Sequence, residues 1–276
     1  MAAAGCWLSC GVRAEMGIFM RTDLISSREN PKIKYACSLR DSEKQRAAEG
    51  LFFAEGPKLC LELAKSCVPR AAYVTEAALH KTPELAALDP VPVTPPVAEK
   101  LAGTKTGQGV FVLFETPCPP QDTLDTARRL LALEGVQDPG NVGTLLRSAA
   151  AFGFDAVLLG PGCAAPFSPK TLRSSMGAAG RLPVLHTGDL PASLRALRER
   201  GVTCLAAALY RSRPLEEAGR DFPGGLCVVI GSEGQGLQDA TVRACDASVR
   251  IPMTDRVESL NAGVAGSVLL WHFRGV

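Results

Sequence analysis

Three short runs in the C-terminal half hold the side chains best suited to chemistry. The first, DPGNVGTLLR at residues 138–147, follows the apolar LALEGV and carries Asn141 and Arg147. A carboxamide both donates and accepts hydrogen bonds, and a guanidinium grips phosphate or carboxylate in bidentate fashion. The second, GSEGQGL at residues 231–237, sets the single carboxylate of Glu233 among three glycines directly after LCVVIG. Glycines there allow backbone to pack closely against a ligand. The third, RIPMTDRVESLN at residues 250–261, ends in Ser259 and Asn261. Each run also has an ordinary structural explanation. Asn141 or Ser259 can cap a helix, Arg147 can be a solvated surface charge, Glu233 can decorate a turn, and Asn261 can fall in a first helical turn. Taken singly, the first run divides evenly between the two readings, the second favours a ligand-facing loop and the third favours ordinary capping.

Other chemistries lack their signatures. The glycine order in the second run is not G-x-G-x-x-G, and no Gly-Lys-Ser or Gly-Lys-Thr occurs, so neither a dinucleotide fingerprint nor a P-loop is present. With His80, His186 and His272 as the only histidines and ten cysteines without a C-x-x-C pair, no metal centre is expected. Cys204 and Cys227 sit inside apolar runs, which fits reduced thiols and a cytoplasmic protein better than a disulfide framework.

The three runs share one context: each leaves an apolar, β-prone stretch and leads into a helix-compatible one. LALEGV, DAVLLG, TCLAAAL, LCVVIG and ASVRIP are spaced widely enough for intervening helices, which predicts an α/β fold with a mainly parallel sheet covered on both faces. In such sheets ligands bind beyond the carboxyl ends of strands, where helix N-termini favour anions. Residues 259–273 place Leu260, Val264, Ser267, Val268 and Trp271 at helical spacing, so a helix is expected to pack on the sheet there.

Upstream, residues 25–115 alternate helix and strand signals: a charged stretch, LFFAEG, a helix from Pro57 to Ser66, then AAYVT, VPVT and VFVLFE. This predicts a small α/β domain with its own core, joined by a Pro-rich linker at 116–123 to a domain spanning 124–276. Residues 1–24 read as a disordered tail, compatible with initiation at Met16 or Met20, with an organellar transit peptide as the alternative. The net charge of +2 decides nothing about nucleic acid, which responds to local charge. No apolar run approaches the ~18 residues of a membrane-spanning helix, so no membrane partner is expected.

Together, in order and spacing, the three runs resemble the SpoU, or TrmH-like, branch of the SPOUT methyltransferases. The likeness extends through SAAAFGFD, SPKTLRSSMGAAGRLPV and NAGVAGSVLL, and so across residues 124–276. It implies a deep trefoil knot, a topology that physical reasoning alone excludes. It also implies S-adenosyl-L-methionine held bent by backbone around Gly231, Ile251, Met253 and Leu260, and a homodimeric active site. The implied reaction is methylation of an RNA ribose 2′-hydroxyl, with Asn141, Arg147, Glu233, Ser259 and Asn261 around the reacting centre. Family mechanisms place Arg147 beside the nucleophile, and Glu233 could orient it.

Residues 30–66 are similar to the small substrate-binding domain that precedes many such enzymes. Lys32, Lys34 and Arg46, with Arg40 and Lys44 between and beside them, give a basic stretch suited to RNA phosphates. By the same analogy ribosomal RNA is favoured over transfer RNA. A catalytically silent RNA-binding assembly factor on the same fold, and a small-molecule α/β enzyme, are the competing readings.

Overall fold

The computed structural model describes residues 24–104, 107–120, 122–209 and 211–275. The expectations for residues 1–23 lie outside the described residues. In chain order the first part contains α1 (Pro31–Asp41), α2 (Glu43–Glu49), β1 (Leu51–Glu55), α3 (Pro57–Leu63), β2 (Pro69–Val74), α4 (Glu76–Lys81), β3 (Val91–Pro92), α5 (Pro95–Leu101) and β4 (Val110–Glu115). These strands form a four-stranded sheet in the order β1-β4-β2-β3, antiparallel except for β2 with β3.

The second part contains α6 (Thr123–Thr126), β5 (Arg129–Leu133), α7 (Pro139–Ala151), β6 (Ala156–Leu159), α8 (Pro169–Ser175), β7 (Val184–His186) and α9 (Leu190–Glu199). It continues with β8 (Thr203–Ala207), β9 (Arg213–Pro214), β10 (Leu226–Ile230), α10 (Asp239–Ala244), β11 (Ala247–Arg250) and α11 (Ala262–His272). Among the described residues its strands make a seven-stranded sheet ordered β7-β6-β5-β10-β8-β11-β9, parallel at every pairing. Strands of such a sheet are buried on both faces, which is why β6 and β10 are unbroken apolar runs and β5 and β8 are apolar after their first residue. The very short β7 and β9 left no such run in the sequence.

The two faces can be told apart along one strand. Leu131 and Leu133 of β5 join a core with Val142, Leu145 and Leu146 of α7 and Leu269 and Leu270 of α11. Leu130 and Ala132 instead face Leu190, Leu194 and Leu197 of α9 and Ala244 of α10. Neighbouring strands β5 and β10 therefore send their following helices to opposite faces. The crevice between their carboxyl ends is a topological switch point, where open α/β sheets bind ligands.

One face of the small sheet packs against the second part of the chain. Phe52, Leu59, Leu63 and Cys67 share one apolar cluster with Leu172, Ala179 and Leu182. Phe52 and Phe167 meet with ring centroids 5.0 Å apart, and Arg181 pairs with Glu62. The opposite face of the small sheet, with Ile33, Leu39, Phe53, Val97 and Phe111, forms a separate core under α1 and α5. No helix of the described residues is long and apolar enough to cross a membrane.

Candidate active site

The switch-point crevice brings together one sequence candidate from each run: Asn141, Glu233 and Asn261. Asp138 is the N-cap position of α7 and Pro139 opens the helix, so Asn141 lies inside the first turn rather than capping it. Its side chain is thereby released: Asn141 Nδ2 donates to Glu233 Oε1, across the gap between the strand ends. Asn141 is only 8% exposed, whereas Glu233 is exposed. Glu233 thus orients Asn141 and not Arg147.

Glu233 sits on a loop that folds tightly upon itself. Ser232 and Gly236 exchange backbone hydrogen bonds of 3.2 and 3.0 Å, and Gln235 N donates to Ser232 Oγ at 3.2 Å. A Cβ on Gly231 would lie 2.3 Å from Gly236 C and 2.4 Å from Leu237 N, so a side chain there would force the loop open. The loop is also held from the β5 side. Glu134 N donates to Ile230 O at 2.9 Å, and the Glu134 carboxyl accepts from Gln238 N at 2.8 Å and Thr241 Oγ1 at 2.6 Å.

The third run approaches from α11. Asn261, not Ser259, is its N-cap: Asn261 Oδ1 accepts from Val264 N at 3.2 Å. That cap points the helix start at Asn141. A Cβ on Gly263 would lie 3.0 Å from Asn141 Oδ1 and 3.1 Å from Asn261 Oδ1, so glycine is what lets the two amides converge. Further along, Ser148 and Ser267 join α7 to α11 through their hydroxyls at 2.8 Å. Ser259 is exposed and makes no side-chain hydrogen bond among the described residues. Ile251, Met253 and Leu260 are half-buried along the same loop, with Ile251 packed on the core.

Arg147 stands apart from this cluster. At about 100° per residue it lies about 120° around α7 from Asn141, away from the side facing α11. It is exposed, and among the described residues it has no hydrogen-bond or ion-pair partner. The neighbouring helix is fixed by Lys170 of α8, whose Nζ donates to Asp138 Oδ1 at 2.7 Å. That bond, with the Gly140 amide, holds the Asp138 carboxyl below the usual range. Beside the crevice, burial pushes the Cys163 thiol up.

The basic stretch of the small domain divides in two. Arg46 is a correction: it is 9% exposed, and its Nη1 donates to Leu39 O at 2.8 Å and Arg40 O at 3.0 Å. It closes the end of α1 and is nearly buried there, rather than standing out from the helix as the sequence suggested. Arg40 is similarly spent on the carbonyls of Lys100, Leu101 and Ala102. Lys32 and Lys44 are exposed without side-chain partners among the described residues, and Lys34 is exposed but pairs with Glu29 at 2.6 Å. The residues that sequence reasoning missed are Glu134, Thr241 and Gly263. A carboxylate closing an apolar strand just before a glycine was the available signal for Glu134.

Comparison with known proteins gives two family matches: the SpoU rRNA Methylase family over residues 128–271, and an MRM3-like substrate binding domain over residues 30–112. The chain is 31% identical over 252 residues to the 23S rRNA (guanosine(2553)-2′-O)-methyltransferase RlmP of Bacillus subtilis, covering 91% of this chain and 99% of that one. An S-adenosylmethionine-bound rRNA methyltransferase from Sinorhizobium meliloti superposes with a TM-score of 0.80 at 26% identity, over 91% of this chain and 96% of its own. A structure described as an RNA 2′-O ribose methyltransferase superposes at 0.74 with 27% identity, over 91% and 97% of the two chains.

Proposed function

The chain belongs to the SpoU rRNA methylase family, and from that premise we propose that it transfers a methyl group from S-adenosylmethionine to a ribose 2′-hydroxyl of ribosomal RNA. The observation that carries the reading is the convergence of Asn141, Glu233 and Asn261 on one crevice between β5 and β10. The residues around it suit the methyl donor. Gly231 is closed over by its own loop, Glu233 and Ser259 are exposed polar groups, and Ile251, Met253 and Leu260, on the same loop as Ser259, are half-buried apolar side chains.

S-adenosylmethionine supplies, when bound, an electrophilic methyl group on a sulfonium. The chain's own task is to align a weakly nucleophilic hydroxyl and ease departure of its proton. Asn261 has its side-chain oxygen committed to Val264 N, so its amide N–H groups remain to hold a hydroxyl or phosphate oxygen, with Ser259 beside it. A guanidinium is a poor proton acceptor near neutrality, so Arg147 serves as a phosphate grip that orients the ribose and steadies developing negative charge.

We further propose a homodimer. Val264, Val268 and Trp271 are 50%, 36% and 51% exposed on one stripe of α11, the helix that Asn261 caps. A second copy covering that stripe would sit against the crevice and give Arg147 work that its own chain does not. The small domain, residues 25–115, holds RNA through Lys32 and Lys34, and residues 116–123 join it to the catalytic domain at 124–276. The C-terminal return of α11 onto α7 is where the trefoil knot of the family would be closed.

Calorimetric titration with S-adenosylmethionine, together with ribose-methylation mapping of total RNA from cells lacking and regaining the gene, tests this. Saturable binding and one restored ribosomal-RNA site are expected. A protein that binds RNA but not the methyl donor would instead be the silent assembly factor, and restoration in transfer RNA would change the substrate.

A further inference from the structure

We infer that Glu134 is a positioning residue that holds the glycine loop 231–237 in register with α7, and so sets Glu233 against Asn141. The inference rests on the reading of this crevice as the methyl-donor site. It starts from a cost. A carboxyl group that is 6% exposed at the end of an apolar strand is unfavourable unless its oxygens are bonded. Both are: Oε2 accepts from Gln238 N and Oε1 from Thr241 Oγ1, the latter fully buried.

The location of those bonds gives them a consequence beyond satisfaction. Glu134 N bonds to Ile230 O immediately before the loop, and its carboxyl bonds to Gln238 N immediately after it. One residue therefore fastens both ends of the segment that carries Gly231 and Glu233. The same residue follows the end of β5, seven positions before Asn141 on the next helix. Spacing between the first and second runs is thus set through Glu134, and misplacement of a reacting group by ~1 Å can cost about a hundredfold in rate.

A purely structural role, the closing of the α10 start, is the alternative and makes a different prediction. Three variants separate the two: Glu134→Ala, Glu134→Gln and Thr241→Val, each measured for melting temperature, S-adenosylmethionine affinity and turnover on ribosomal RNA. Glu134→Ala should weaken donor binding by about tenfold or more and lower turnover, because the loop loses its tether. Glu134→Gln keeps an oxygen for Gln238 N and an amide that can donate to Thr241 Oγ1, and should stay within about threefold of the parent. Thr241→Val, nearly isosteric, removes one of the two bonds and should fall between them.

A double-variant cycle closes the test. If Glu134 acts through Glu233, then Glu134→Ala should have little further effect on turnover in a Glu233→Ala background. The inference is overturned if Glu134→Ala lowers only the melting temperature, or if Glu134→Gln is as damaging as Ala. Should Glu134→Ala fail to fold, Glu134→Gln and Thr241→Val still decide: unchanged donor affinity in Thr241→Val would overturn it. Failure of the parent protein to bind the donor would instead remove the site reading itself.

Discussion

The α1–α2 segment of the small domain and helix α7 of the catalytic domain both carry arginines that the sequence offers as phosphate ligands, yet the fold uses them in opposite ways. Arg40 and Arg46 turn inward and donate to carbonyls at the ends of α5 and α1. The last carbonyls of a helix lack intrahelical donors, so a cation there satisfies both the hydrogen-bond deficit and the negative end of the dipole. Arg147 has no such task. It stands exposed on α7 without a partner among the described residues, nearly two turns beyond Asn141 in a first turn held by Asp138, Lys170 and Glu233. A cation already bonded to carbonyls is part of the scaffold, whereas one left free on a rigid helix beside a crevice is available for chemistry.

Removing the free arginine should break the comparison most severely. Arg147→Ala is expected to lower methyl transfer by about a hundredfold or more, the scale seen when a group stabilising developing charge is deleted. Melting temperature and donor affinity should stay near the parent values, because the side chain supports no other described residue. Loss of donor binding in a folded Arg147→Ala variant would move Arg147 from the RNA to the cofactor.

Asn261 tests whether a residue can be scaffold and site at once. Asn261→Ala should cost about 1 kcal/mol of stability through loss of the α11 cap and should also lower turnover. Asn261→Ser retains a capping oxygen, so stability should return while turnover stays low. Parent-like turnover in Asn261→Ser would reduce Asn261 to its cap.

The contrast also marks what could be read without the fold. Nine of the strands follow from apolar runs whose burial on both faces, or on one, leaves a pattern in the chain. The site residues were legible as residues after strand ends, but not as neighbours. Asn141 and Glu233 are 92 positions apart, and they meet because β10 is inserted between β5 and β8 out of sequence order. Local spacing carries no information on that insertion; the family resemblance does. The cap assignments failed for a smaller reason. Asp138, Asn141, Ser259 and Asn261 are all good caps, and which one starts the helix depends on a single turn of backbone that composition does not fix. Arg46 failed similarly: a basic residue on an amphipathic helix looks the same whether it faces solvent or the preceding helix end.

Arg46 accordingly supplies the converse of Arg147. Arg46→Ala leaves the carbonyls of Leu39 and Arg40 without their side-chain donor, which should cost about 1–3 kcal/mol of stability. Folded Arg46→Ala protein should bind ribosomal RNA as tightly as the parent in a filter or anisotropy assay. An RNA-affinity loss without a stability loss would return Arg46 to the RNA surface.

The smallest effects should come from the exposed lysines of α1 and α2, and their order follows from their existing partners. For each phosphate that the protein no longer neutralises, the slope of log affinity against log salt becomes shallower by somewhat under one. Lys32→Ala, at a side chain free among the described residues, should show that change and weaken RNA binding a few-fold with stability unaltered. Lys34→Ala should change less. Lys34 already bonds Glu29, and with Lys100 it holds that carboxyl down at about 2, so its charge is partly answered within the protein before RNA arrives. Glu29→Gln should release Lys34 and steepen the salt dependence, a gain that a purely internal lysine would not give. Equal salt slopes in the parent, Lys34→Ala and Glu29→Gln would place Lys34 with Arg46 in the scaffold rather than with Lys32 on the RNA-facing surface.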